Sequence, residues 1–150
     1  MSRTIIERNL FAIAIVIGVS FLAIVLFLGP PILTIAYLWN LPRGDTHAVP
    51  YATKKLKSNV TLTRVAAARG LGSIGPSAEP AVPDLINVLK DKSPSVASSS
   101  AWALGAIQSP RPEAINALID ALGSRDGEVR RYAAYALSQC QQLLVAPNAF

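Results

Sequence analysis

Two patterns of apolar residues divide this chain. From Leu10 to Leu28 the sequence LFAIAIVIGVSFLAIVLFL is apolar on every side, with Ser20 its one polar residue. A helix of that length spans about 28 Å, close to the hydrocarbon thickness of a bilayer, so the run predicts a transmembrane anchor. Gly29, Pro30 and Pro31 interrupt it. A second apolar piece runs from Ile32 to Leu41, with Tyr37 and Trp39 near its end, residue types that suit a membrane–water interface. It reads as a kinked continuation or an interfacial helix, with a re-entrant hairpin as the lesser alternative. A cleaved signal peptide fits less well, because the apolar core is longer than usual and no A-x-A site stands close behind it.

Beyond residue 60 the pattern changes to a repeat. Leu71, Leu104 and Leu137 are spaced by 33 residues within AAARGLGSIG (66–75), SSAWALGAIQ (99–108) and YAAYALSQCQ (132–141). Small residues fill the aligned columns Ala67/Ser100/Ala133, Ala68/Ala101/Ala134 and Gly70/Ala103/Ala136. A second motif has the same period: Val82, Leu85, Ile86 and Leu89 align with Ile115, Leu118, Ile119 and Leu122. The second motif has the apolar spacing of an amphipathic helix, and the first is an Ala-rich helix built for close approach. Ser93-Pro94, Asp126, Ser77/Pro80 and Pro112 supply helix-start signals. The predicted helices lie near 60–74, 80–91, 94–108, 112–123 and 127–144.

Asp126, Glu128, Val129, Arg130, Ala133, Ala134, Ala136 and Leu137, with Ala101, Leu104, Gly105, Leu118 and Leu122, match an acidic-turn, Val-Arg, Ala-Ala-x-Ala-Leu-Gly pattern paired with Leu-x-x-Leu. This resembles HEAT-like repeats of the short bacterial type named after the phycobiliprotein lyases, over about residues 60–140. Gly70 in mid-helix and Ser98–Ser100 depart from the pattern. The resemblance implies an all-α fold, a short α-solenoid of about two and a half helix pairs, and the apolar run places it behind an N-terminal transmembrane helix. It implies protein binding, and in some members bilin attachment. The expected organisation is a tail (1–9), an anchor with its break and interfacial segment (10–41), a basic juxtamembrane linker (42–59), a repeat domain (60–144) and a tail (145–150). The last first-type helix lacks a partner, so one end of the stack is expected to be exposed, or covered by another protein or a second copy. His47–Asn59 is a candidate cover for the other end.

Charge sharpens the picture. The net charge of +5 resides between Arg43 and Arg69, where six basic residues face Asp45 alone; from Gly70 onward acids outnumber bases by one. This points to anionic lipid, with Lys54, Lys55 and Lys57 as contacts, rather than to nucleic acid. Four basic residues come after the anchor and two precede it, which predicts a single-pass protein with a cytoplasmic repeat domain.

Chemistry is sparse. Cys140 is the only cysteine, which excludes an intrachain disulfide; it sits in the apolar column of Ile74 and Ile107 and reads as a buried thiol. His47 is the only histidine. No catalytic, metal or cofactor motif is visible. Arg69, Trp102 and Tyr135 share a column, and aromatic and Arg side chains are habitual interface anchors, so these three with Arg130 and Arg131 are the candidate partner-binding residues. The expected function is a membrane-tethered adaptor. An accessory subunit of a larger membrane complex and a chromophore-handling protein are the alternatives.

Overall fold

The computed structural model describes residues 32–145, with side chains through Gln141. The anchor over 10–28 and both tails lie outside the described residues, apart from Val145. No helix among the described residues is long and apolar enough to cross a membrane. The chain divides into a unit of residues 1–34 and a compact unit of residues 35–150, and the helical stack belongs to the second.

All regular structure among the described residues is helical. Residues 32–39 form α1, and a 3₁₀ turn over Thr46–Ala48 leads into α2 (Val49–Lys55). The next elements are α3 (Thr61–Ile74), a 3₁₀ stretch (Gly75–Ala81), α4 (Val82–Val88), α5 (Pro94–Ile107), α6 (Pro112–Ala121) and α7 (Gly127–Val145). The Ala-rich helices α3, α5 and α7 stack side by side, and the shorter α4 and α6 pack beside them. The predicted helices match this order. The stretch before α4 is tighter than predicted because Pro76 and Pro80 remove donors that an α-helix needs.

The repeat domain starts earlier than residue 60. Leu38 and Leu41 are buried in the same core as Leu71, Ile74, Leu104 and Ile107. Leu38 lies 33 residues before Leu71, and Leu41 lies 33 before Ile74. Ala48, Val49, Ala52 and Leu56 are likewise buried, each 33 before Ala81, Val82, Leu85 and Leu89. So α1 and α2 form a degenerate first helix pair, and the described stack holds three and a half pairs rather than two and a half. Residues 35–41 are therefore repeat rather than anchor, and 49–56 repeat rather than linker, because their apolar side chains close the first end of the core. Tyr37 packs edge-on against Tyr51 at 5.6 Å, and Arg69 lies over the Trp39 ring at 5.9 Å.

Gly70 is required by packing. A Cβ there would lie 2.5 Å from the carbonyl oxygen of Leu38 and 3.0 Å from Leu41. The same close approach recurs one helix on. A Cβ on Gly72 would meet the Trp102 ring at 2.5 Å and the Ala103 backbone at 3.0 Å, and one on Gly105 would meet the Ala136 backbone at 2.7 Å. Small residues let the long helices touch backbone to backbone, so the stack is fixed by what is missing from these positions.

The turns between pairs carry a second repeating device. Ser58 Oγ accepts from the Val60 amide, Asp91 Oδ1 from the Ser93 amide and Ser124 Oγ from the Asp126 amide, 33 residues apart each time. Asp126 caps α7 through the Glu128 and Val129 amides. Ser93 occupies the cap position of α5 without a side-chain bond, with Pro94 starting the helix. Arg64, buried in α3, donates from Nη1 to the carbonyls of Ser58 and Asn59, and from Nε and Nη2 to the Asp91 carboxylate at 2.8 and 3.0 Å. It thus clasps the turn before its own helix to the turn after the next one. Burial works to raise the Asp91 pKa. The Arg64 hydrogen bond, the Ser93 amide and the charges of Arg64 and Lys92 outweigh it, and the carboxyl ends below its ordinary value.

Packing and clasp are each open to a stability measurement. Ala is the better helix former by about 1 kcal/mol, yet Gly70→Ala is expected to lower the thermal midpoint by several degrees, because Leu38 presents backbone that has to shift. A raised midpoint would contradict this packing. Asp91 has a depressed folded pKa, so its stabilisation is complete above the unfolded value near 4 and is lost as pH falls through the folded value. Asp91→Asn is expected to be less stable at pH 7 and to show a shallower loss of stability between about pH 5 and 2, monitored by circular dichroism in urea.

Candidate functional site

A hollow of about 250 Å³ opens on the long-helix face, lined by Arg69 of α3, Ser98, Ser99 and Trp102 of α5, and Tyr132 of α7. A neighbouring hollow of about 270 Å³ shares Arg69, Ser98, Ser99 and Tyr132 and extends to Val65, Ser95 and Glu128. Two serines, Ser98 and Ser99, form the floor between Arg69 and Tyr132. Ser99 donates to the Ser95 carbonyl at 2.7 Å and Ser98 to the same oxygen at 3.3 Å. Ser100, fully buried, turns the other way and donates to the Leu85 carbonyl of α4 at 2.6 Å, fastening α5 to the preceding pair.

Trp102 has two tasks. Its six-membered ring lies against Gly72, and its exposed part walls the hollow. Arg69 is exposed at the rim. Arg131 pairs with Glu128 and covers the Tyr132 ring at 4.8 Å, so a cation-backed aromatic closes the α7 side. The surface therefore offers flat aromatic area, an exposed cation and a mixed rim. It suits an amphipathic segment carrying an acid or a carbonyl better than a small polar substrate.

The candidates named from the sequence do not all meet here. Arg69 and Trp102 line the hollow, and Arg131 lies beside it. Tyr135 stands apart and 47% exposed, its hollow-facing place taken by Tyr132. Arg130 points to the turn, donating to the carbonyls of Ser124 at 2.7 Å and Arg125 at 2.9 Å. Tyr132 and the two serines were missed as a set. Tyr132 belongs to the column of Ala66 and Ser99, and one aromatic in an otherwise small column was the available signal. Of the lysines, Lys54 is exposed, Lys55 lies 5.2 Å over the Tyr51 ring, and Lys57 pairs with Asp84 at 3.0 Å. Cys140 is buried in the column of Ile74 and Ile107, and burial pushes its thiol pKa up. Among the described residues no three His, Cys, Asp or Glu side chains gather as a metal site.

Residues 49–139 match the family described as HEAT repeats. The chain belongs to the HEAT-repeat family. The match begins at α2, in agreement with a repeat domain that starts before residue 60. Among solved structures the chain resembles human deoxyhypusine hydroxylase in complex with glycerol, at 27% identity and a TM-score of 0.59. That likeness covers 72% of this chain and 36% of the hydroxylase, so this HEAT chain spans about a third of that enzyme's length. No curated protein matches it.

On this HEAT face Trp102 packs against Gly72 whereas Arg69 is exposed. Trp102→Ala is expected to cost about 2 kcal/mol through lost contact with Gly72, and Arg69→Ala less than about 0.5 kcal/mol. Equal losses for both in urea melts would contradict the division of roles.

Proposed function

We propose that this HEAT-repeat chain is a membrane-tethered protein-binding adaptor whose docking face is the Arg69–Trp102–Tyr132 hollow. The observation that carries the reading is that hollow: an exposed cation and two part-exposed aromatics held rigidly by stacked helices. Such groups supply most of the binding energy at interfaces, and rigid helices limit the entropy lost on docking. The uncharged Leu10–Leu28 run supports the tether. Lys54 is exposed near the end of α2, and with Lys55 and Lys57 it forms a basic cluster where anionic headgroups would add to the tether. Four basic residues after the run against two before it favour a cytoplasmic repeat domain. The hydroxylase activity is named for the structural neighbour, and the likeness spans about a third of that protein.

A second reading is an accessory subunit of a larger membrane complex. It is favoured by the uncovered last pair, where Ile119 is 52% and Leu122 39% exposed while Leu89, the equivalent of Leu122, is 6% exposed.

The test uses full-length protein in native membranes with a photo-crosslinking residue at position 132 or, on the short-helix side, at exposed Asn116. The adaptor reading expects a discrete adduct from position 132, weakened about tenfold by Arg69→Ala at unchanged thermal midpoint. An adduct from 116 alone, or one indifferent to Arg69, would overturn it. Release of the protein from the membrane pellet by alkaline carbonate would overturn the tether.

A further inference from the structure

Arg64 and Arg130 occupy the same column two repeats apart, and the residues they hold are also two repeats apart. Arg64 Nη1 donates to Ser58 and Asn59, and Arg130 Nη1 donates to Ser124 and Arg125. The remaining bonds differ. Nε and Nη2 of Arg64 are held by the Asp91 carboxylate, which comes from the turn after the next short helix, and Arg64 is 8% exposed. Arg130 is exposed, and no carboxylate pairs with it among the described residues. Its guanidinium is a half-built clasp.

The neighbouring columns repeat the contrast. Ala134 is exposed where Ala68 and Ala101 are fully buried, and Ser138 is exposed where Gly72 and Gly105 are buried. Ile119 and Leu122 are exposed on α6, whereas Ile86 and Leu89 on α4 pack into the core. Small residues that admit a helix, an apolar strip and a cation without a carboxylate are thus set out in the register that α3 and α4 use with their own successors.

The geometry points to a docking site at the α6–α7 end for a partner's amphipathic helix that leads into a turn bearing Asp or Glu, the carboxylate closing on Nε and Nη2 of Arg130. The charge decides the occupant. A second copy of this chain has one acid in the turn column, Asp91, already held by its own Arg64; the others are Ser58 and Ser124. Charge complementarity at Arg130 therefore calls for a turn whose acid is free, which places it on a different protein. This rests on the protein-binding reading but uses a different surface, so loss of the Arg69 hollow and loss of this end are separable.

The probe is a labelled peptide copying residues 79–93, EPAVPDLINVLKDKS, which carries a short helix and its acidic turn from this repeat. It is titrated onto the full chain in detergent by fluorescence polarisation. The expected result is saturable, sub-millimolar binding that weakens about tenfold with alanine in place of the peptide's Asp91, weakens equally with Arg130→Ala in the protein, and is untouched by Arg69→Ala. Dependence on Arg130 distinguishes this end from exchange with the protein's own α4. Absence of saturation at millimolar peptide, or binding indifferent to both the acid and Arg130, would overturn the assignment. So would concentration-dependent dimerisation of the full chain that Arg130→Ala abolishes, since the occupant would then be a second copy.

Discussion

The long helices of this protein touch at backbone distance, and the rest of the structure is arranged around that contact. Gly70 against Leu38, Gly72 against Trp102 and Ala103, and Gly105 against Ala136 leave no room for a larger side chain on the receiving helix. Such close approach gives up side-chain burial at those positions in return for dense packing across the seam. It also sets the spacing at which Leu38, Leu71 and Leu104 line up in one core and at which Ser98, Ser99, Trp102 and Tyr132 enclose a hollow. A repeat stack has no centre, so each helix pair is held only by its neighbours across such seams.

Polar groups add direction to a packing scheme that would otherwise allow sliding. The Arg64–Asp91 clasp joins consecutive turns, and the Ser100 hydroxyl reaches the Leu85 carbonyl across a pair. Both are buried, so their absence would leave unpaired groups out of water. Breaking the register by one residue would lose both bonds at once. At the α6–α7 end of the described stack, an exposed apolar strip (Ile119, Leu122) and a cation without a carboxylate partner (Arg130) appear together.

The sequence reads this fold well where the repeat is rich and poorly where it is degenerate. Helices α3 to α7, the Asp126 cap and the buried column of Cys140 are legible from the period of 33 and from ordinary start signals. The first pair was hidden by composition. Residues 32–41 are as apolar as the run before them and carry Tyr37 and Trp39, so hydropathy placed them in the anchor, although Leu38 and Leu41 keep the repeat's columns. In α2, Ala52 stands where Leu85 and Leu118 stand later, and three lysines drew attention to charge instead of to Val49 and Leu56. The site was half legible. A column shared by Arg69, Trp102 and Tyr135 pointed to the right face. Tyr132 rather than Tyr135 lines the hollow, and its only mark in the sequence is one aromatic in the small column of Ala66 and Ser99.

The helical stack begins by residue 35, so α1 is the first member of the series that continues in α3, α5 and α7. Hydrogen exchange read by mass spectrometry on the full chain in detergent tests this most directly. Peptides covering 35–41 and 49–56 should exchange as slowly as those covering α3 and α5, because they share one core and open with it. Exchange of 49–56 within seconds, with α3 to α6 still protected, would make that segment a linker and contradict a stack that starts there.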